Sequence, residues 1–291
     1  MTPITHKPRT IVLICGLWIT TCLTFAAEKP NRIVSINVCT DHLLLMLVDR
    51  TRIASLTHLA GDPHNSMIVE EIQGIHLNRA TAEEVIALAP DLVVAGAFNF
   101  RPTVATLRKL GYRVKEIQLA SSLQDIKTNL TSLGRAVDEI ERAEALITIF
   151  NRRLKHLTYR SEKKPLLFAR YEANGWTVGQ NTLIADVASA AGFETVGERL
   201  EFTGRRYLSL EQLLLLQPDL LDLGYDWKES PALASEKFKH PALSELLKNT
   251  ALVKVPNPAW ACGSPYTLGA LARLRRARDQ LDSLGLRNNT L

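Results

Sequence analysis

A chain of 291 residues, 46% of them hydrophobic and with charged residues spread along its length, can bury one large core or two medium ones, which excludes a disordered or fibrous protein. The formal net charge of +5 comes from basic residues interleaved with acidic ones along most of the chain. With no basic run and no aromatic RNA-reading motif, a nucleic-acid partner is not expected.

Residues 1–27 read as a secretory signal peptide. His6, Lys7 and Arg9 form a basic start, an apolar run occupies 11–25, and Ala26 and Ala27 close it. At about 15 residues the run falls short of the roughly 20 that span a bilayer, so release into the periplasm is expected rather than retention as an anchor. Thr21 stands before Cys22 where a lipid-anchoring signal wants Gly, Ala or Ser, so no lipid anchor is expected. Cleavage leaves Cys39 and Cys262 as the mature cysteines, in a compartment that oxidises thiols. Two outcomes stay open: a disulfide closing nearly the whole mature chain, or two separately buried thiols serving as small apolar residues.

Further along, strand-like segments at 32–37 and 165–171 each lead to a helix, at 41–48 and 183–191. The segment 81–96 is then echoed by 208–224. In both, a hydroxyl residue, Thr81 or Ser209, can cap a helix start, and a carboxylate two residues later, Glu83 or Glu211, favours the positive end of its dipole. Pro90 or Pro218 stops the helix, and the apolar run after the following Asp reads as a buried parallel strand. A helix and a strand follow in each half, at 104–110 with 113–118 and at 243–248 with 252–255. Strands alternating with helices imply parallel sheets with right-handed crossovers. The fold class is therefore α/β, with an N-terminal lobe at 28–136 and a C-terminal lobe at 162–291. Between them 123–136 is amphipathic, and 139–159 continues without Pro or Gly, its apolar residues at helical spacing. The connecting helix is assigned to 137–161. A helix of about 20 residues spans about 30 Å, long enough to pass from one lobe to the other.

Open parallel sheets bind ligands beyond the carboxyl ends of their strands. Those loops, at 37–41, 58–67, 96–103, 172–182, 224–231 and 256–267, supply the candidate ligand-binding residues: Asn37, Cys39, Thr40, Phe98, Phe100, Tyr171, Trp176, Tyr225, Trp227, Trp260 and Tyr266. All three tryptophans of the mature chain are among them. Large aromatics offer apolar area with a polar edge, which suits a bulky, mostly apolar ligand with polar trimmings; the competing role is to plug a core or the junction between lobes. His58, His64 and His76 share one stretch, but their spacing matches no metal-ligand pattern, so neither a metal nor a resident cofactor is expected. No nucleophile elbow, phosphate loop or Cys-x-x-Cys is present, and a helix start accounts for the neighbours Asp41 and His42, so the chain is not read as an enzyme.

The segments Arg32-Ile33-Val34-Ser35-Ile36-Asn37, Arg52-Ile53-Ala54-Ser55-Leu56, Leu88-Ala89-Pro90-Asp91-Leu92-Val93-Val94 and Leu107-Arg108-Lys109-Leu110-Gly111-Tyr112-Arg113-Val114 resemble, in order and spacing, the cobalamin and ferric-siderophore group (class III) of periplasmic binding proteins of ABC importers. The resemblance runs from Arg32 to about Leu284. It implies two Rossmann-like lobes joined by a single rigid backbone helix, closing only modestly on a ligand held in a shallow cleft. It further implies a monomer that hands a corrinoid or an iron chelate to permease subunits. Trp176 and Trp260 stand where the resemblance puts two ligand-binding aromatics. Docking on the permease uses one exposed carboxylate per lobe: Glu211 matches in the second, while in the first Arg101-Pro102-Thr103 occupies the expected place and Glu83 or Glu84 is the substitute. The alternatives are a zinc, manganese or haem-binding protein of similar build and, more remotely, an exported enzyme.

Overall fold

The computed structural model describes residues 29–172, 175–224 and 240–285; the expected signal peptide lies outside them. The first half builds β1 (Ile33–Ser35), α1 (Val38–Leu47), β2 (Ile53–Thr57), β3 (Leu77–Asn78), α2 (Ala82–Ala87), β4 (Leu92–Gly96), α3 (Arg101–Lys109) and β5 (Val114–Ile117). The five strands lie in the order β3-β2-β1-β4-β5, every neighbour parallel. Alternate side chains point to opposite faces of a strand. Accordingly Ile33, Leu92 and Val94 pack with Leu43, Leu44 and Leu47 of α1, while Val34, Val93 and Ala95 pack with Val85 of α2 and with Val104 and Leu107 of α3. Helices thus cover both faces, and the strand order reverses between β1 and β4.

Two helices follow, α4 (Leu123–Ala136) and α5 (Ile140–Leu157). The second half then builds β6 (Leu166–Arg170), β7 (Trp176–Val178), α6 (Leu183–Ala190), β8 (Phe193–Thr195), α7 (Val196–Arg199), β9 (Arg205–Tyr207), α8 (Leu210–Leu216), β10 (Leu220–Asp222), α9 (Pro241–Asn249), β11 (Ala251–Leu252), α10 (Asn257–Ala261) and α11 (Thr267–Ser283). Its parallel sheet runs β11-β10-β6-β8, and β7 and β9 form a separate antiparallel pair. The order β8-β6-β10-β11 reproduces β2-β1-β4-β5 of the first sheet.

The echoed segments become α2 with β4 and α8 with β10. Thr81 Oγ1 accepts from Glu84 N at 3.3 Å, and Ser209 Oγ from Gln212 N at 3.2 Å. The residue before each proline is left-handed, Ala89 at φ 44° and Gln217 at φ 45°. Each Asp then stitches its strand to the neighbour. Asp91 Oδ2 accepts from Asn31 N at 2.6 Å and Arg32 N at 2.9 Å at the start of β1; Asp219 Oδ2 accepts from Leu167 N at 2.8 Å in β6.

α5 is the rod between the lobes, clamped at both ends. At its start Arg52 donates to Pro30 O at 2.8 Å, Val137 O at 2.5 Å and Glu139 Oε1 at 2.5 Å. Lys29 adds an ion pair to Glu139 at 2.8 Å, and with Arg52 it holds that carboxyl below its ordinary pKa. Beyond the other end Tyr159 donates to Asp282 Oδ2 at 2.7 Å and accepts from Arg278, whose guanidinium lies 4.2 Å from the Tyr159 ring centroid. A single hydrophobic cluster joins both halves, from Leu44 and Leu130 through Phe150 to Phe168, Val187, Leu271 and Leu274. Burial of that extent, at about 25 cal/mol per Å² of apolar surface, favours lobes that move as a stiff pair.

Candidate ligand-binding cleft

The carboxyl ends of both sheets converge on the segment between β11 and α11. Cys39, at the start of α1, is disulfide-bonded to Cys262 in that segment. Gly263 lies so close to Ala120, just after β5, that a Cβ on it would collide with the alanine methyl. Tyr266 donates to Glu71 Oε1 at 2.8 Å and meets His42 edge-on with centroids 5.6 Å apart; both partners belong to the first lobe. A fourth link runs from Leu123 N, opening α4, to Asp186 Oδ2 in the first turn of α6, at 2.6 Å. These contacts form the floor on which the two lobes meet.

On the N-terminal side a cavity of about 150 Å³ opens where the strand order reverses, lined among others by Asn37, Cys39, Thr40, Phe98, Leu119 and Gly263. Its polar residues are partly engaged. Asn37 Oδ1 caps α1, accepting from Cys39 N at 3.0 Å and Thr40 N at 3.3 Å, and Thr40 Oγ1 donates to Asn37 O at 2.8 Å. Apolar side chains stand open beside it: Phe98 is 71% and Leu119 62% exposed, and Phe100 is left-handed at φ 53°. An exposed aromatic at a strand end has no core to fill, so its area is free for a ligand.

On the C-terminal side the strand ends carry charge. Arg170, ending β6, and Asp222, ending β10, are paired in register and buried, with Nη1 to Oδ2 at 2.7 Å. Burial pushes the Asp222 carboxyl above its ordinary pKa, and the Arg170 guanidinium opposes it. Arg170 also donates to Glu172 at 2.8 Å and to Asn257 at 3.1 Å, and its guanidinium sits 5.7 Å from the Trp260 centroid. Glu172 in turn receives Arg205, which lies 5.7 Å over the Trp176 ring. The β7–β9 pair sets Trp176 directly opposite Tyr207, and the two are 43% and 53% exposed. The result is an aromatic and guanidinium face whose two cations, Arg170 and Arg205, are matched by two carboxylates.

The sequence-derived candidates separate into three groups. Asn37, Cys39, Thr40 and Phe98 line one cavity, Phe100 lies next to it, and Trp176 stands exposed on the other lobe. Tyr171 and Trp260 are buried, and Tyr266 is engaged at the lobe junction. Tyr225 and Trp227 lie outside the described residues. Among the docking candidates Glu83 and Glu211 are exposed in the first turns of α2 and α8, and Glu84 Oε2 accepts from Arg79 N at 2.6 Å. Sequence reasoning passed over Arg170, Glu172, Arg205, Tyr207 and Asp222. The signal was present for two of them: opposite charges end two apolar strands that the echoed pattern makes neighbours.

Next to the junction lie two buried titratable groups. Asp41 Oδ2 accepts from Thr57 Oγ1 at 2.6 Å and Thr57 N at 3.2 Å, yet burial pushes its carboxyl up to about 7. Burial lowers His42 to about 4, and Met67 N donates to its Nε2 at 3.2 Å. Among the described residues no group of three His, Cys, Asp or Glu is placed to hold a metal ion.

Comparison with known proteins places this geometry. The sequence pattern of the periplasmic binding protein family matches residues 33–221, more than half of the chain. A cobalamin-binding protein of Halobacterium salinarum is 24% identical over 242 residues, which cover 81% of this chain and 64% of that protein, so the chain spans under two thirds of its length. The periplasmic heme-binding protein RhuT from Roseiflexus sp. RS-1 superposes with a TM-score of 0.72 at 21% identity, over 85% of this chain and 97% of that one. The periplasmic vitamin B12 binding protein BtuF of Vibrio cholerae superposes with a TM-score of 0.68 at 19% identity, over 87% and 98%. At these identities the likeness establishes a shared fold.

Proposed function

The chain belongs to the periplasmic binding protein family, and from that premise we propose that it is the solute-binding component of an ABC importer and holds a corrinoid between its lobes. The family is one of substrate-binding proteins, not enzymes, and its members work in the periplasm or outside the cell. No described helix is long and apolar enough to cross a membrane. What supports the ligand assignment is exposed apolar surface on both lobes, Phe98 and Leu119 near strand ends of the first and Trp176 and Tyr207 on the β7–β9 pair of the second. Such surface suits a broad, flat macrocycle.

Charge balance favours a corrinoid within that class. A corrinoid carries amide arms, whereas haem carries two carboxylates that need uncompensated cations. Arg170 and Arg205 are already matched by Asp222 and Glu172. Arg206 supports haem or another acidic iron chelate as the second reading: its guanidinium leans on Phe202, and it has no carboxylate partner among the described residues. Glu83 and Glu211 occupy equivalent first-turn positions in the two lobes and are the proposed contacts for the permease.

Calorimetric titration with cyanocobalamin, haemin and ferric siderophores tests the assignment. Cyanocobalamin should bind with a micromolar or lower Kd, and Trp176→Ala should weaken it about tenfold, the scale of one aromatic anchor. Silence with all three ligands, or unchanged affinity in the variant, contradicts it.

A further inference from the structure

We propose that the open trough bounded by β5, α4 and α5 is a second binding surface, and that it rests on the phosphate headgroups of an anionic phospholipid membrane. The trough has a volume of about 900 Å³, and its walls carry Arg113, Lys115, Lys127 and Arg135 among hydroxyl and amide side chains, with no carboxylate. Arg113 donates to Ala136 O at 3.2 Å. The other three make no ion pair among the described residues, in contrast to Arg170 and Arg205 on the aromatic face of the second lobe. Like charges held together without counter-ions repel one another, and a polyanionic partner relieves that repulsion while the threonine and serine hydroxyls donate to phosphodiester oxygens.

One feature selects a lipid layer over a soluble phosphate. The cations are spread over a strand and a helix rather than converging on one point, which matches an array of singly charged diesters.

The test is vesicle sedimentation of the protein as exported, using phosphatidylglycerol mixed with phosphatidylcholine against phosphatidylcholine alone at low ionic strength. Any remnant of the leader contributes equally to parent and variants, so the comparison isolates the trough. Binding is expected to the anionic vesicles alone and to fall with added salt. Lys115→Gln with Lys127→Gln should weaken partitioning about 25-fold, about fivefold per cation. Lys115→Arg with Lys127→Arg should preserve it. Equal partitioning of the Gln pair, or equal binding to both vesicle types, overturns the proposal. So does calorimetric binding of tripolyphosphate or inorganic phosphate without vesicle partitioning, which assigns the trough to a soluble phosphate instead.

Discussion

Replacing Asp41 by Asn should uncover a pH dependence of stability that the parent protein conceals. The folded Asp41 carboxyl lies at about 7 against an ordinary 3.8, so the stability it contributes is fully present below 3.8 and is lost as pH rises through about 7. His42 behaves oppositely, at about 4 against 6.5: its contribution is present above 6.5 and is lost as pH falls through about 4. Between those limits the unfolded chain keeps the pair's single proton on His42 and the folded chain keeps it on Asp41. The number bound is the same in both states, so the two slopes cancel. At about 1.36 kcal/mol per pH unit, Asp41→Asn leaves the His42 slope alone, and stability should climb by about 3 kcal/mol from pH 4 to 6.5. His42→Gln should produce a fall of about 4 kcal/mol from pH 4 to 7, and the double variant should be level again. Urea unfolding followed by tryptophan fluorescence across that range, each variant taken as a difference from the parent, isolates the pair. A single Asp41→Asn profile parallel to the parent throughout refutes the reasoning, because Asp41 would then not be holding the proton.

Two further perturbations probe the interior. Arg170→Met strands the buried Asp222 carboxylate and should cost about 3–5 kcal/mol in denaturant melts, part of which Arg170→Met with Asp222→Leu restores, since a well-packed apolar pair tolerates burial. The Cys39–Cys262 bond spans 223 residues of sequence, for which chain-entropy reasoning gives a ceiling of about 5 kcal/mol and experience with engineered and native bonds about 2–4. Paired Cys→Ser replacement should lower stability by the smaller figure, and dithiothreitol should act on the parent and leave the variant unchanged.

The architecture was legible where residues play one local part. The Pro-Asp pairs at 90–91 and 218–219 announced two equivalent helix-to-strand turns, since proline cannot continue a helix and the Asp that follows binds the amide of the neighbouring strand. The rod was legible in the unbroken apolar spacing of 140–157, although its true start is set by left-handed Asp138, at φ 56°, and by the Arg52 clamp 88 positions away from residue 140 in sequence; such long-range anchoring leaves no local trace. The cleft was read by counting aromatics in loops, a rule blind to which rings the core claims. It could not tell Trp260, folded onto Arg170, from Trp176, left in the open. The β7–β9 pair escaped notice because three-residue strands carry too short an alternation to stand out from a loop.

Hydrogen exchange with and without saturating cyanocobalamin tests most directly whether the ligand is clasped from both sides. Amides at 37–41, 96–100 and 117–120 on one lobe and at 175–178 and 204–207 on the other should slow together, with the trough along α4 unchanged. Protection confined to one lobe, or centred on the outer helices, would contradict a cleft closed by the rod and floor described above.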